Sequence, residues 1–522
     1  MKNLMLSGAA IALLAACGGA DKVTTPTTAV LEEASARTGD PAQAAAALAA
    51  MSLDASATGV LSFADSSVEG ATATFTDVKV SGEEAVNVGT LKLDGLDMTD
   101  GKANFGKLSL NAVTLDGGDE GDVVISNIEL VNPSPELAAW IAGTLNGEEV
   151  AFPAADKLVF DSWSVGDLSA TISDSDMDGT FGIEKIEILD KGVDTAAQAK
   201  ISGLSLDGLI DGSESLKASL GSITLTNVDT KFVQAVQENM DEPEAMMSAL
   251  MDIVSDNPME TGYDAFSLSD LSFDIAGAAF ALPSLTSFVE RNTAGEPTKY
   301  ITEPFSMSLS ADPEGGEAGA GLLQGLSILG YESLELKGSS VAEYDPATDM
   351  VSMAAADNFF ELVDGMKISF GGKIEGYSAY SKAAASAFDF EALAAGGDPD
   401  PSAIEGAFSE LTFHGFELSL ADDTLLDRAF NAAATSQGVD PAELKSQIGM
   451  GLAMAPMMAQ GSGIDMALIS EATGAIGKFV SDGGTLTLKV DPSEPLSVAA
   501  IMENPDPAAY TKDRLGFTAS QN

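Results

Sequence analysis

The chain has 522 residues, with 80 acidic side chains against 25 basic ones, a formal charge of −55, and apolar residues at 45%. That balance excludes nucleic acid and anionic lipid surfaces as partners recognised by charge, because no basic patch can neutralise their phosphates, yet it leaves apolar material for two or more domains. A single cysteine excludes an intramolecular disulfide, a CxxC redox pair and a cysteine-rich zinc site, and a single histidine excludes a two-histidine zinc centre.

The predicted elements begin with Met1-Lys2-Asn3 and an apolar run from Leu4 to Ala16, broken only by Ser7 and Gly8, that ends at Cys17-Gly18-Gly19. A basic start, a short apolar core and small residues at its end read as a secretory signal peptide over 1–17, too short for a permanent span. The ending Leu14-Ala15-Ala16-Cys17 resembles the lipobox of bacterial lipoproteins. The resemblance implies acylation of the Cys17 sulfur, removal of the preceding residues and attachment to a membrane through the N-terminal lipid. Gly18, standing where an aspartate would favour inner-membrane retention, implies the outer membrane, facing the periplasm. A plain secretory peptide that happens to end in cysteine is the alternative. Without residues 1–17, which hold one lysine and no acid, 24 basic and 80 acidic residues remain, a formal charge of −56. Such acidity suits a solvated, self-repelling surface or, more sharply, one that binds divalent cations.

Residues 18–58 are rich in Ala, Thr and Asp and read as a flexible tether, interrupted by short helices near Val30 to Ala36 and Pro41 to Met51. A β-rich domain follows over 59–310. In it one pattern recurs: two apolar residues a step apart, a polar and a small residue, then two more apolar residues a step apart. Copies start at Leu91, Leu108, Val123, Leu158, Leu204, Ile223 and Phe266, with a later one at Leu411. Alternation of period two would send the second apolar pair to the opposite face. A β-bulge at the polar-small pair returns all four to one face, and its second slot holds Gly95, Gly208, Gly415, Asn127, Asn227 or Asp270, residues that tolerate a left-handed backbone. The alternative is a strand buried on both faces.

Helices are expected from Pro135 ("PELAAWIAGTL") and from Lys231, the latter parted at Pro243. Glycine-rich acidic segments from Ala311 and Ala394 serve as boundaries, giving a second α+β segment over 322–393 and a helix-rich C-terminal part with terminal strands over 402–522. The fold class is α+β: elongated, curved antiparallel sheets of bulged strands with interspersed amphipathic helices.

Chemistry-bearing motifs are sparse. In "DSDMDGTFGIEK", Asp174, Asp176, Asp178 and Gly179 match the first half of a calcium loop, but Lys185 stands where a bidentate glutamate is needed and the flanks read as strands. The readings are a weak calcium site or a solvated hairpin turn. His414 fills the polar slot of a strand motif, which favours a structural role over a general base. Neither a GxSxG elbow nor a GxxxxGK[ST] phosphate loop is present. The uncharged stretch from Ile448 to Ile464 reads as a buried helical hairpin or, through Met450, Met454, Met457 and Met458, as a soft surface for an apolar ligand.

These readings give an envelope-anchored lipoprotein with a non-catalytic ectodomain and no resident cofactor beyond weak calcium. It would hold a lipid or other apolar ligand in a β-groove. The alternative is an assembly partner that docks a basic envelope protein through its acidic surface, and the third reading is a hydrolase built on His414. The strand-rich middle and helix-rich end are similar to large bacterial periplasmic proteins of uncharacterised function, a likeness that transfers no site residues.

Overall fold

The computed structural model describes residues 34–54, 61–81, 86–99, 101–115, 122–145, 150–173, 177–193, 195–210, 213–229, 257, 259–387, 406–503 and 506–522. The signal peptide, Cys17 and the helical stretch from Lys231 lie outside them. The chain divides into two compact units, one formed by Met1–Met246 with Thr261–Ile275, the other by Met247–Glu260 with Ala276–Asn522.

The first unit opens with α1 (Ala44–Ala50), the helix expected near Pro41 to Met51. Ala47, Leu48, Met51 and Leu53 are buried in the core, and the Arg37 guanidinium donates to the carbonyls of Phe105 and Pro133. Residues 34–54 are therefore part of the folded unit, a correction to the tether expected over 18–58: two buried alanines, two leucines and one methionine suffice when a sheet supplies the other side of the interface. In the sheet, β1 (Leu61–Ser62) and β2 (Asp65–Glu69) both pair with β3 (Thr72–Val80), which pairs with β4 (Val86–Asp94). A separate hairpin of β5 (Asp97–Thr99) and β6 (Lys102–Asn104) comes next, with α1 packed against it. The ladder then runs in chain order through β7 (Lys107–Leu115), β8 (Val123–Val131), β9 (Phe160–Ser173), β10 (Met177–Lys191), β11 (Thr195–Ile210), β12 (Glu214–Asp229) and β13 (Ala265–Ile275), every pair antiparallel. The predicted helix from Pro135 is α2 (Pro135–Leu145), which packs on β6.

The recurring pattern has a geometric cause. Leu108, Leu110, Val113 and Leu115 of β7 are all buried, so both apolar pairs reach one face. No residue is inserted to achieve this. Thr76 opposes Thr90 and Val78 opposes Val88, which leaves Asp77 and Gly89 facing each other one for one. Neighbouring strands make the same three-residue step at the same level, so Phe75, Leu91, Leu110, Ile128, Val165 and Ile186 form one apolar row and Val78, Val88, Val113, Ile125, Leu168 and Ile183 the next. A crease two residues wide runs between the rows. A second crease lies six residues away, and each of β3, β4 and β7 to β13 turns left-handed once, within the strand or just past its end, at the second crease it meets. The residues are Asp77, Gly95, Ala112, Asn132, Asp167, Asp190, Gly203, Asn227 and Asp270, with φ from 47° to 70°. Gly95, Asn227 and Asp270 do what their slots predict, whereas Gly208, Gly415 and Asn127 are not left-handed.

In the second unit, β14 (Ala278–Arg291) pairs with β15 (Pro297–Ala311), and α3 (Glu317–Ile328) packs on both. Next come β16 (Ser333–Asp345), β17 (Met350–Met353), β18 (Phe359–Leu362), β19 (Met366–Glu375), α4 (Tyr377–Ala387), β20 (Thr412–Asp422), α5 (Leu425–Gln437), α6 (Pro441–Met458), α7 (Met466–Asp482), β21 (Gly484–Val490), β22 (Leu496–Ser497), α8 (Val498–Glu503), α9 (Lys512–Leu515) and β23 (Thr518–Gln521). β15 pairs with β16, and β16 with β17 and β18. Both of these lie against β19, which leads through β20 to β21 and β23. Inserted-residue bulges do occur here, with register shifts at Glu290/Arg291, Thr302/Phe305 and Lys373/Ile374.

The class is α+β, as the alternation of strand clusters and amphipathic helices predicts. The compact division, however, follows Ile275, inside the span read as one domain. The glycine-rich segment from Ala311 is a packed turn of the second unit: Asp312 N–H donates to Gly277 O at 2.7 Å and Gly319 N–H to Ala276 O at 2.9 Å. A Cβ at Gly319 would stand 2.1 Å from Asp312 O, so its glycine serves close approach rather than flexibility.

Candidate functional site

Register assigns the side chains of the second unit to faces, because directly opposed residues of an antiparallel ladder point the same way. Gly338 opposes Phe305 and Phe360, Phe360 opposes Ile368, Ile368 opposes Leu420, and Leu420 opposes Leu486. Their neighbours two residues along, including Met307, Leu336, Phe370, Leu418 and Leu488, share this face, which is apolar from β15 to β21. The other face is mostly polar, with Lys337, Glu361 and Lys367 in one row and Phe359, Ser369, Ser419 and Thr487 in another, the Lys367 ammonium lying over the Phe359 ring.

Among the described residues, helices cover the apolar face at its ends. Leu326 of α3 is buried over β14 and β15, while Ala475 and Phe479 of α7 bury Leu486, with Met366, Leu420 and Leu426 packed alongside. Between them Leu336, Phe360, Ile368 and Phe416 remain 38–55% exposed. Gly338 lets the flanking rings close over the sheet, since a Cβ there would stand 2.8 Å from Phe305 and 3.2 Å from Phe360. Phe360 stacks on Phe370 with centroids 6.2 Å apart. The strip is thus a row of aromatic and aliphatic surfaces held on a rigid ladder.

The methionine stretch is also at the surface. Asp440 caps α6 by accepting from Ala442 N–H, and Asp465 caps α7 by accepting from Ala467 N–H. The stretch 448–464 is the second half of α6, which runs through Pro456 to Met458, and the turn after it, so the buried hairpin expected within it is corrected to a single exposed helix end; α6 packs against α5 and α7 and has no buried residue. Met450, Met454, Met457 and Met458 are 46–80% exposed. A run of apolar residues signals burial only when a partner surface exists, and α6 meets α5 and α7 but no sheet face among the described residues.

The remaining candidates offer little chemistry. His414 is the inserted residue of the β20 bulge, because Lys373 opposes Gly415 while Ile374 opposes Phe413. Its Nε2 lies 2.7 Å from Glu375 Oε2, its one hydrogen-bond partner among the described residues, so no nucleophile is in hydrogen-bond contact with the ring. Asp174 and Asp176 lie outside the described residues. Asp178 opposes Ser173 across the β9–β10 hairpin, and Lys185, in the twelfth position of the motif, is ladder-paired with Gly166 and Ser202. The second half of that motif is therefore strand, and a twelve-residue wrapping loop is not formed. The phenol of Tyr344 donates to Asp349 Oδ1 at 3.0 Å, and burial followed by this hydrogen bond pushes its pKa up to about 12. A side chain so firmly protonated supports structure.

The uncovered strip carried no separate signal in the sequence, because its residues read like any strand core. Only the pairing of long strands with few covering helices exposes it. No curated protein matches the chain. Residues 359–522 match the model of a family described as an uncharacterized protein, a stretch that begins at β18 and contains Phe360, Ile368, His414, Phe416 and the methionine helix.

Proposed function

We propose that the protein is a lipid-anchored component of the bacterial envelope, attached through Cys17, whose second unit holds an acyl chain or similar apolar ligand against its sheet without catalysing a reaction. The observation that carries this reading is the contiguous strip of Leu336, Phe360, Ile368 and Phe416, open between α3 and α7. Single exposed apolar residues are ordinary, but adjacent ones on a rigid floor support a binding surface. Covering the exposed halves of four such side chains would contribute roughly 3–6 kcal/mol before the cost of association.

Native mass spectrometry of the Cys17-free ectodomain, expressed in the periplasm, tests the reading. The expected result is an added mass matching a lipid, lost in the double variant Phe360→Ser, Ile368→Ser, whose half-exposed positions make the change mild for folding. A bare mass from the unaltered ectodomain would count decisively against it. The formal charge of −56 on the mature chain supports a second reading, an assembly partner for a basic envelope protein; cross-linking in cells would then capture one protein neighbour in a salt-dependent manner.

A further inference from the structure

α6 and α7 enclose an open groove of about 390 Å³, with Leu452, Ala453 and Pro456 on one wall and Thr473, Lys478 and Ser481 on the other. This volume falls within the roughly 300–1,000 Å³ of small-ligand sites. The groove lies on the side of α7 turned away from Ala475 and Phe479, which face the sheet. It is therefore separate from the strip between α3 and α7.

Two observations bear on its use. Gly449, Gly474 and Gly477 line it from within helices, where glycine is less favourable than alanine. Close packing, the usual compensation, is missing, since a Cβ at any of the three would meet nothing within 4 Å. The glycines keep space open. The second observation is charge. Lys478 makes no ion pair or side-chain hydrogen bond with any described residue, in a chain with 80 acidic side chains. Asp482, one turn on, instead accepts from Ser481 Oγ at 2.8 Å. An apolar wall thus faces a wall with hydroxyls and one unneutralised ammonium, while Met450 and Met454 add flexible apolar surface to α6.

We infer that this groove seats a single-chain anionic amphiphile, a long-chain carboxylate, with its chain along α6 and its head on Lys478. The inference goes beyond the sheet-bound ligand and stands independently of it. The test titrates the whole mature chain, carrying Cys17→Ser, calorimetrically with dodecanoate, dodecanol and dodecyltrimethylammonium below their micellar concentrations. Dodecanoate is expected to bind at least ten-fold more tightly than the ammonium. Lys478→Gln should reduce that preference at least five-fold while Lys478→Arg retains it, and Gly474→Leu, which fills the groove, should abolish binding with helicity unchanged. Gly449→Leu provides the same blockade from the other helix if Gly474→Leu fails to fold. The inference is overturned if dodecanoate does not bind, if head-group charge is immaterial, or if both groove-filling variants bind normally. Loss of dodecanoate in Phe360→Ser, Ile368→Ser but not in Gly474→Leu would overturn it while sustaining the sheet reading.

Discussion

Ala112 holds φ at 53° although it carries a Cβ, a conformation that costs an L-residue about 1–2 kcal/mol. Ala112→Gly is expected to stabilise the first unit by about 1 kcal/mol, whereas Ala112→Val, branched at a carbon that is already crowded, should destabilise it by at least ~2 kcal/mol. Urea unfolding followed by tryptophan fluorescence measures both, because Trp140 and Trp163, the chain's two tryptophans, lie in the first unit. A destabilised Ala112→Gly would mean that the crease does not strain this residue. At this scale the sequence was half legible. Gly95, Asn227 and Asp270 announce their conformation by residue type and pattern, but Asp77 and Asp167 do not, because "ATFTDVKV" and "WSVGDLSA" place alanine where the pattern calls for a large apolar residue. Ala73 is fully buried nonetheless. Small side chains belong to this core without looking apolar enough to mark it.

The C-terminal elements are held to α7 by carboxylates. Asp465 accepts from Lys512 N–H at 2.8 Å and Ala467 N–H at 2.9 Å, and these backbone donors hold its pKa below the usual carboxylate range. Glu471 takes the Lys512 ammonium and, at 3.0 Å, Ala519 N–H; the lysine contact is the larger cause of its lowered pKa. A carboxyl whose pKa is depressed by folding contributes its stabilisation in full above the unfolded value and loses it as the pH falls through the folded one. Acidification below pH about 4 should therefore release α9 and β23 before the rest of the unit. Hydrogen exchange would show Thr518–Gln521 losing protection first, and Glu471→Gln should weaken the same amides at neutral pH; uniform loss across β20, β21 and β23 would contradict this. The helix-rich character of this region was legible in the sequence. The exposure of α6 was not, since hydropathy reports what a helix could bury and not what is available to bury it.

The two units differ in how they are consolidated. One continuous core runs through the first, from α1 across β3 to β12, while the second holds smaller clusters around Tyr344 and Phe479. Because apolar burial dominates stability, two unfolding transitions are expected, with the second unit melting first. Far-UV circular dichroism should fall in two steps, and tryptophan fluorescence should follow only the later one. Coincident transitions by both probes would show a single cooperative block. The α+β class was legible from the alternation of strand clusters and helices, but the division after Ile275 was not, because no change of composition marks it. The paired creases of the first sheet also bear on how such a fold can change in length. Left-handed residues fall on one crease in β9 and on the other in β10, so the repeating module is a hairpin. Because each strand bends at the second crease it meets, the alternation follows strand direction, and duplicating or deleting β9 with β10 leaves the direction of every later strand unchanged. Whole hairpins are therefore the units by which the interior of this sheet can lengthen or shorten without reversing the strands that follow.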